Sequence, residues 1–342
     1  MSQEDEIPRK TNGQTTGVPQ GRRPRSLWRE KDSLKGSIVD SMVVILEGPG
    51  CSHALSGGCT MCGYNSGPRP SPDEVCLSEQ VIWVLNELRS EPYLKVFTSG
   101  SFLDGNEIPM RSAMELLKGV NSQSPGTKVL IESRPEFITD RSLMMVKNAH
   151  DDVEIAIGLE TSSDKVRGSL IQKGFSWKDY VRAGNLVIEN GFELKTYLLL
   201  KPPFLGEYQA YHDVMNSISD VSRTFPGSRI SVNPINIQSG TSLEGLYHQG
   251  LYRPPWLRTV VKVLAEAKGM VPQGTHLMSC PTAGGRKRGA HNCGECDGAF
   301  LSLIERFSLD NTSPLVLPPI ECCREDWLHE MGTSMIFPLK DG

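Results

Sequence analysis

Six short apolar runs recur between residues 43 and 233, each followed by a longer stretch with helical spacing. The runs are Val43–Leu46, Lys95–Thr98, Lys128–Ile131, Val153–Ile157, Leu194–Leu200 and Arg229–Asn233. Their β-branched content and length are those of buried strands. After Ser78 the apolar positions Val81, Ile82, Val84, Leu85 and Leu88 fall on one helical face. A second helix is predicted to open at Ser176, with Asp179 three residues on completing a capping box, and to continue through Val181, Leu186 and Ile188. Six β–α units predict an α/β fold, a parallel sheet covered by helices. In such sheets ligands sit at the carboxyl ends of the strands.

Beyond residue 238 the pattern changes. Leu257, Val260, Val261 and Leu264 predict one core-facing helix that ends at Gly269. The first 30 or so residues are polar, without apolar periodicity, and predict an unordered arm. From Arg9 to Arg29 this arm has six basic residues, Arg9, Lys10, Arg22, Arg23, Arg25 and Arg29, and no acidic one. It is read as a candidate phosphate contact, with Leu27 and Trp28 docking its end. The expected division is an arm over 1–35, a barrel over 36–245 and a small C-terminal lobe over 246–342.

The strand ends carry the chemistry. The first strand runs into Gly48-Pro49-Gly50 and then Cys51, Cys59 and Cys62. Three thiolates on one Gly/Ser loop suit a metal centre with an open coordination position, zinc or iron–sulfur. The second strand delivers Thr98, Ser99, Gly100, Ser101 and Phe102, where small residues admit a ligand to the backbone. The third delivers Glu132, Ser133 and Arg134, and the fourth Glu160 and Thr161 with Arg167 beyond. The fifth ends at Lys201, and the sixth runs from Asn233 to Gln238. Together these groups suit a zwitterion, with carboxylates for an ammonium and Arg or Lys for a carboxylate.

Composition narrows the setting. The protein has 342 residues, 38% hydrophobic and 22% charged, with a net charge of -4, so it is ordinary for a globular protein and has no global nucleic-acid signature. No secretory segment and no membrane-spanning run is read, and nine clustered cysteines fit metal ligation in a reducing cytoplasm. In the C-terminal lobe, Cys280, Cys293 and Cys296 with Cys322 or Cys323 read as zinc ligands, Cys322 preferred. An auxiliary iron–sulfur cluster is the alternative. The basic run Arg286, Lys287 and Arg288 is a second candidate contact for a nucleic-acid backbone.

The cysteine loop, the small-residue motif and the Glu132–Pro135 segment resemble the radical S-adenosylmethionine enzymes, in the branch similar to the Elp3 tRNA-modifying enzymes. The resemblance implies a partial (βα)6 barrel. It implies a [4Fe-4S] cluster on Cys51, Cys59 and Cys62, and S-adenosylmethionine held by Ser99, Gly100, Ser101, Glu132, Ser133, Arg134, Glu160 and Arg167, with Lys201 a further contact. The gap between Cys51 and Cys59 is longer than the commonest spacing, and Met61 stands where an aromatic residue is usual, with Tyr64 nearby. A narrower resemblance covers nearly the whole sequence. Gly58–Tyr64, Leu200–Pro203, Asn233–Gln238 with Gly240 and Thr241, and Tyr252–Leu257 are similar to the radical subunits of archaeosine synthases. Such subunits act on tRNA with a transglycosylase-like alpha subunit and an electron donor. The implied reaction cleaves the C–N bond of the lysine moiety in a lysine adduct of 7-cyano-7-deazaguanine at tRNA position 15. Two other readings stand beside it: another radical tRNA modification, such as methylthiolation with a second cluster, and a non-enzymatic zinc-binding RNA adaptor.

Overall fold

The computed structural model describes residues 21–63, 76–312 and 315–332. All six expected strands are present, as β2 (Ser37–Ile45), β3 (Tyr93–Phe97), β4 (Lys128–Glu132), β5 (Val153–Glu160), β6 (Glu193–Leu200) and β7 (Arg229–Pro234). They lie side by side in sequence order, each parallel to the next. Between them run α1 (Leu77–Glu87), α2 (Met110–Gln123), α3 (Asp140–Ala149), α4 (Trp177–Glu189) and α5 (Glu207–Thr224). The α4 capping box forms as expected between Ser176 and Asp179. After the seventh strand come α6 (Ser242–His248), α7 (Leu257–Lys268), a short β8 (His276–Met278), α8 (Asp297–Leu309) and α9 (Arg324–Gly332). Gly269 caps α7, whose Leu257, Val260, Val261 and Leu264 are fully buried.

Two differences from the sequence-based expectation enlarge the sheet. Ser26–Leu34, read as the end of an unordered arm, is strand β1 and pairs antiparallel with β2. Its charges are spent inside the fold: Glu30 and Asp32 both pair with Lys95, and Arg29 pairs with Glu91. The turn is two residues, Lys35 and Gly36, both at positive φ, which matches the twist of a tight hairpin. At the other edge, β8 pairs with β7, so the segment assigned to a separate lobe supplies a strand of the same sheet. Three residues are too short a run to be read as a strand.

Strand alternation separates two faces. On β3, Leu94 and Val96 enter the large core beneath the helices, while Tyr93, Lys95 and Phe97 face the other way. That second face is the concave one. Arg229 on β7 pairs with Asp32 on β1 at 3.1 Å and with Glu154 on β5 at 3.2 Å. In a flat sheet β1 and β7 would stand roughly 29 Å apart at the usual strand spacing. The ion pair therefore requires the sheet to curl, and α8 packs against both edge strands. The result is the expected partial barrel, with a lumen lined by alternate residues of each strand.

Residues 1–20 of the arm, including Arg9 and Lys10, lie outside the described residues, as does Tyr64. Arg22 pairs with Glu79 at 2.8 Å. In the second basic run, Arg286 and Lys287 are exposed, whereas Arg288 is held by Glu244 and the Ile237 carbonyl. Among the described residues no helix is long and apolar enough to cross a membrane.

Candidate functional site

The cysteine loop leaves the carboxyl end of β2 and is fastened on three sides. Cys51 leads into a tight helical turn over Ser52–Ser56. The Ser52 backbone N–H donates to Glu107 Oε1 at 2.7 Å, and its hydroxyl donates to Asp104 at 2.6 Å. Farther along, Thr60 donates its backbone N–H to the Ile171 carbonyl at 3.0 Å and its hydroxyl to the Leu170 carbonyl at 2.6 Å. The His53 imidazole bonds to the Gln172 carbonyl at 2.9 Å. After Cys62, the Gly63 N–H donates to Gln238 Oε1 at 2.6 Å. A Cβ on Gly63 would lie 2.7 Å from the Ser239 carbonyl oxygen, so the approach to the β7 end needs glycine. Cys59 and Cys62 close one turn, with the Cys62 N–H on the Cys59 carbonyl at 3.1 Å.

The small-residue motif meets this loop through one carboxylate. Glu107 also accepts the Ser101 N–H. A Cβ on Gly100 would collide with the Glu107 carboxylate, which explains the glycine. Ser99 and Gly100 remain partly exposed at the rim, while Ser101 and Ser133 are buried. Ser101 Oγ accepts the Arg134 N–H at 3.2 Å, and Ser133 Oγ donates to the Arg134 carbonyl.

Charged groups stand beside the loop cysteines. Glu160 sits at positive φ where the β5–β6 register shifts, and pairs with Lys173 at 2.7 Å. Arg134 pairs with Glu136 at 2.6 Å, donates to the Lys173 carbonyl and stacks over Phe175. Burial pushes the Cys59 thiol up, opposed by Lys173 and Arg134 and reinforced by Glu160 and Cys62. Deeper in the lumen, burial pushes Glu132 up to about 7 against its hydrogen bond with Tyr197 and the charges of Lys195 and Lys173.

Two expected contacts point elsewhere. Arg167 is fully buried, and its guanidinium donates to the Thr161 and Phe175 carbonyls and to Asp164, all in its own connection. Lys201 is buried and paired with Glu207 at 2.8 Å, with its ammonium over the Tyr252 ring. Both side chains brace the rim's supports. Glu107 and Lys173 are not legible in the sequence. Each lies several residues beyond a strand end, and nothing in local composition separates it from a surface charge.

A second constellation lies on the C-terminal elements. Cys293, Cys296, Cys322 and Cys323 bring their sulfur atoms within 4.8 Å of one another, the one such set of His, Cys, Asp or Glu ligand atoms among the described residues. The sulfur–sulfur separations are 3.9 Å for Cys293–Cys296, 3.4 Å for Cys293–Cys322 and 3.7 Å for Cys296–Cys323. A tetrahedron of Zn–S bonds has sulfur–sulfur edges of about 3.8 Å. The Cys296 sulfur accepts Asn292 Nδ2 and the Cys323 sulfur accepts Arg258 Nε, both at 3.3 Å. The expected quartet thus changes by one member. Both cysteines of the adjacent pair take part, and Cys280 does not. Cys280 follows β8, and its charged neighbours are the lumen groups Glu30, Lys95, Lys195 and Asp32. His291 is held by the Gly289 carbonyl.

No protein-family model matches the sequence. It is 38% identical over 312 residues to the archaeosine synthase subunit beta of Methanosarcina acetivorans, covering 89% of this chain and 88% of that protein. It is 32% identical over 323 residues to the protein of the same description from Thermococcus kodakarensis, covering 90% of this chain and 97% of that protein. Among solved structures, Methanocaldococcus infernus Elp3 with an N-terminal deletion aligns at a TM-score of 0.49 and 12% identity, over 64% of this chain and 55% of that one. Identity of this order along nearly the full length of both sequences means that the protein belongs to the family of archaeosine synthase beta subunits.

Proposed function

We propose that the protein carries out the radical step of archaeosine formation on tRNA: cleavage of the C–N bond of the lysine moiety in a lysine-bearing 7-deazaguanine. The relatives' description as subunit beta of archaeosine synthase supports a tRNA-modifying role beside a partner subunit. The observation that carries the reading to this protein is the loop of Cys51, Cys59 and Cys62, pinned at the carboxyl end of β2 and facing a rim with Arg134, Glu160 and Lys173. The donor set fits the implied cluster. Three thiols lie on one partly exposed loop beside two cations, and their sulfurs do not form a single-ion shell like that of the C-terminal quartet.

In this reading Cys51, Cys59 and Cys62 hold a [4Fe-4S] cluster whose fourth iron is left for S-adenosylmethionine. When bound, the cluster and S-adenosylmethionine supply one-electron chemistry that ends in hydrogen abstraction, with electrons from a separate donor. The protein's own residues orient and exclude. Glu107 fixes the cysteine loop and the Ser99–Ser101 motif relative to each other. The Glu160–Lys173 pair and Arg134 offer both signs of charge to an amino-acid zwitterion beside Cys59. Ser99 and Gly100 leave the rim open to a flat ligand. Arg167 and Lys201 act as positioning residues.

The C-terminal quartet is read as a structural zinc site. Four protein thiolates leave no open position, their spacing suits one tetrahedral ion, and two side-chain donors steady the sulfurs. A second cubane cluster would place an iron under each thiolate and spread the sulfurs farther apart.

The test is anaerobic protein with reductant, S-adenosylmethionine and tRNA carrying the lysine adduct. The reading expects methionine, 5′-deoxyadenosine and a formamidine base. A zinc-binding adaptor would cleave no cofactor, and a methylthiolating enzyme would leave the lysine in place.

A further inference from the structure

The lumen contains one buried cation that the fold leaves without a partner among the described residues. Lys95 is matched by Glu30 and Asp32, each at 2.5 Å. Arg229 is matched by Asp32 and Glu154, and Glu154 also accepts the Tyr93 hydroxyl. Lys195 on β6 is 4% exposed, yet it has no ion pair and no hydrogen bond among the described residues. Its close contact is the ring of Tyr197, 5.4 Å from Nζ. An ammonium has three donors, and Lys195 Nζ is not among the fully enclosed polar atoms that lack a partner, so those donors open into the lumen and can take a ligand's acceptor.

Its surroundings explain why no side chain fills the role. Asp32 on β1 and Glu154 on β5 act on Lys195 from a distance, but both are committed to Arg229. Lys95 on β3 and Arg229 on β7 repel it. Glu132 on β4 also feels its charge but is bonded to Tyr197. Burial, then Arg229, pulls Lys195 down to about 8, which leaves it protonated at neutral pH. Lys195 and Tyr197 alternate onto the lumen face of one strand. At the usual rise per residue, Lys195 lies about 13 Å along the strand from Leu199, below the cysteine loop.

We propose that Lys195 receives the carboxylate of the substrate, the end of the amino acid appended to the base. This rests on the lysine-adduct reading above and deepens it. The appended group runs down the lumen from the rim. Its C–N bond stays beside the cysteine loop, and its α-carboxylate meets the unpartnered ammonium. The lumen thereby measures the length and charge of the appended group, which no rim residue does.

The test compares two tRNAs, one with the lysine adduct and one with the 5-aminopentyl adduct, identical but for the carboxylate. Both are assayed for binding and for conversion. Wild-type enzyme is expected to favour the lysine adduct by roughly 10- to 100-fold in kcat/KM, the range of a charged hydrogen bond. Lys195→Met is expected to erase that preference in both binding and conversion, and Lys195→Arg to restore part of it. Equal use of the two tRNAs by wild-type enzyme overturns the proposal, even if Lys195→Met fails to fold. So does a Lys195→Met enzyme that keeps the preference while slowing on both. If wild-type enzyme binds and converts neither adduct, the lysine-adduct reading itself falls and the inference with it.

Discussion

The Glu107 carboxylate accepts the backbone N–H of Ser52 at 2.7 Å, one residue past the first loop cysteine. Its other oxygen accepts the N–H of Ser101. One side chain therefore ties the cysteine loop to the small-residue motif after β3. Glu107→Ala frees one buried and one half-buried N–H group and is expected to lower iron content and S-adenosylmethionine cleavage together, by several-fold. Glu107→Gln keeps an acceptor oxygen and should fall between. Full iron occupancy with unchanged cleavage in Glu107→Ala would show that the loop holds its shape unaided.

The sulfur quartet predicts which cysteines matter for metal content. Cys323→Ala should lose about one zinc per protein molecule and several kcal/mol of stability, since binding energy at a closed site is folding energy. Cys280→Ala should keep its zinc, because Cys280 stands outside the sulfur quartet. Elemental analysis and thermal melts of the two variants decide it. Zinc lost from Cys280→Ala and retained in Cys323→Ala would reverse the ligand assignment.

The barrel was legible in the sequence wherever period and length agreed. The six apolar runs and the Ser176/Asp179 cap are repeated in the structure. What escaped was set by tertiary partners. Glu30 and Asp32 look like solvated arm charges until Lys95 and Arg229 are placed opposite them. Cys280 has the right residue type and a plausible spacing, but β8 turns it toward a different part of the molecule. Arg167 and Lys201 sit at strand ends, as binding residues do, and are taken up by neighbouring carbonyls and carboxylates. Spacing along the sequence identified the cysteine loop, but it could not tell which strand-end charges stay available to a ligand.

The lumen floor should be sensitive to loss of one charge. Arg229 neutralises Asp32 and Glu154, both buried. Arg229→Met leaves Glu154 without its cationic partner and Asp32 with Lys95 alone, and is expected to cost about 3–5 kcal/mol in chemical denaturation. A cost below about 1 kcal/mol would mean that the curl of the sheet does not depend on this pairing.

Glu132 gives stability a pH dependence of known sign. Its folded value of about 7 lies above the ordinary 4.5, so the folded protein prefers the protonated acid. This contribution is fully present below 4.5 and is lost as pH rises through about 7. Glu132→Gln cannot ionise, so its stability should gain on wild type between pH 5.5 and 7 by roughly 2 kcal/mol and then stay level. Denaturation curves at half-unit intervals test this, and parallel pH profiles for the two proteins would contradict it.

The proposed chemistry is hydrogen abstraction from the lysine of a modified tRNA base at the rim of this barrel. Its most direct test is tRNA carrying an adduct of side-chain-deuterated lysine, incubated anaerobically with reduced enzyme and S-adenosylmethionine. Mass spectrometry of the 5′-deoxyadenosine reads the outcome. Deuterium is expected in that product, together with a formamidine base on the tRNA. Conversion of the base with no deuterium in 5′-deoxyadenosine would contradict it.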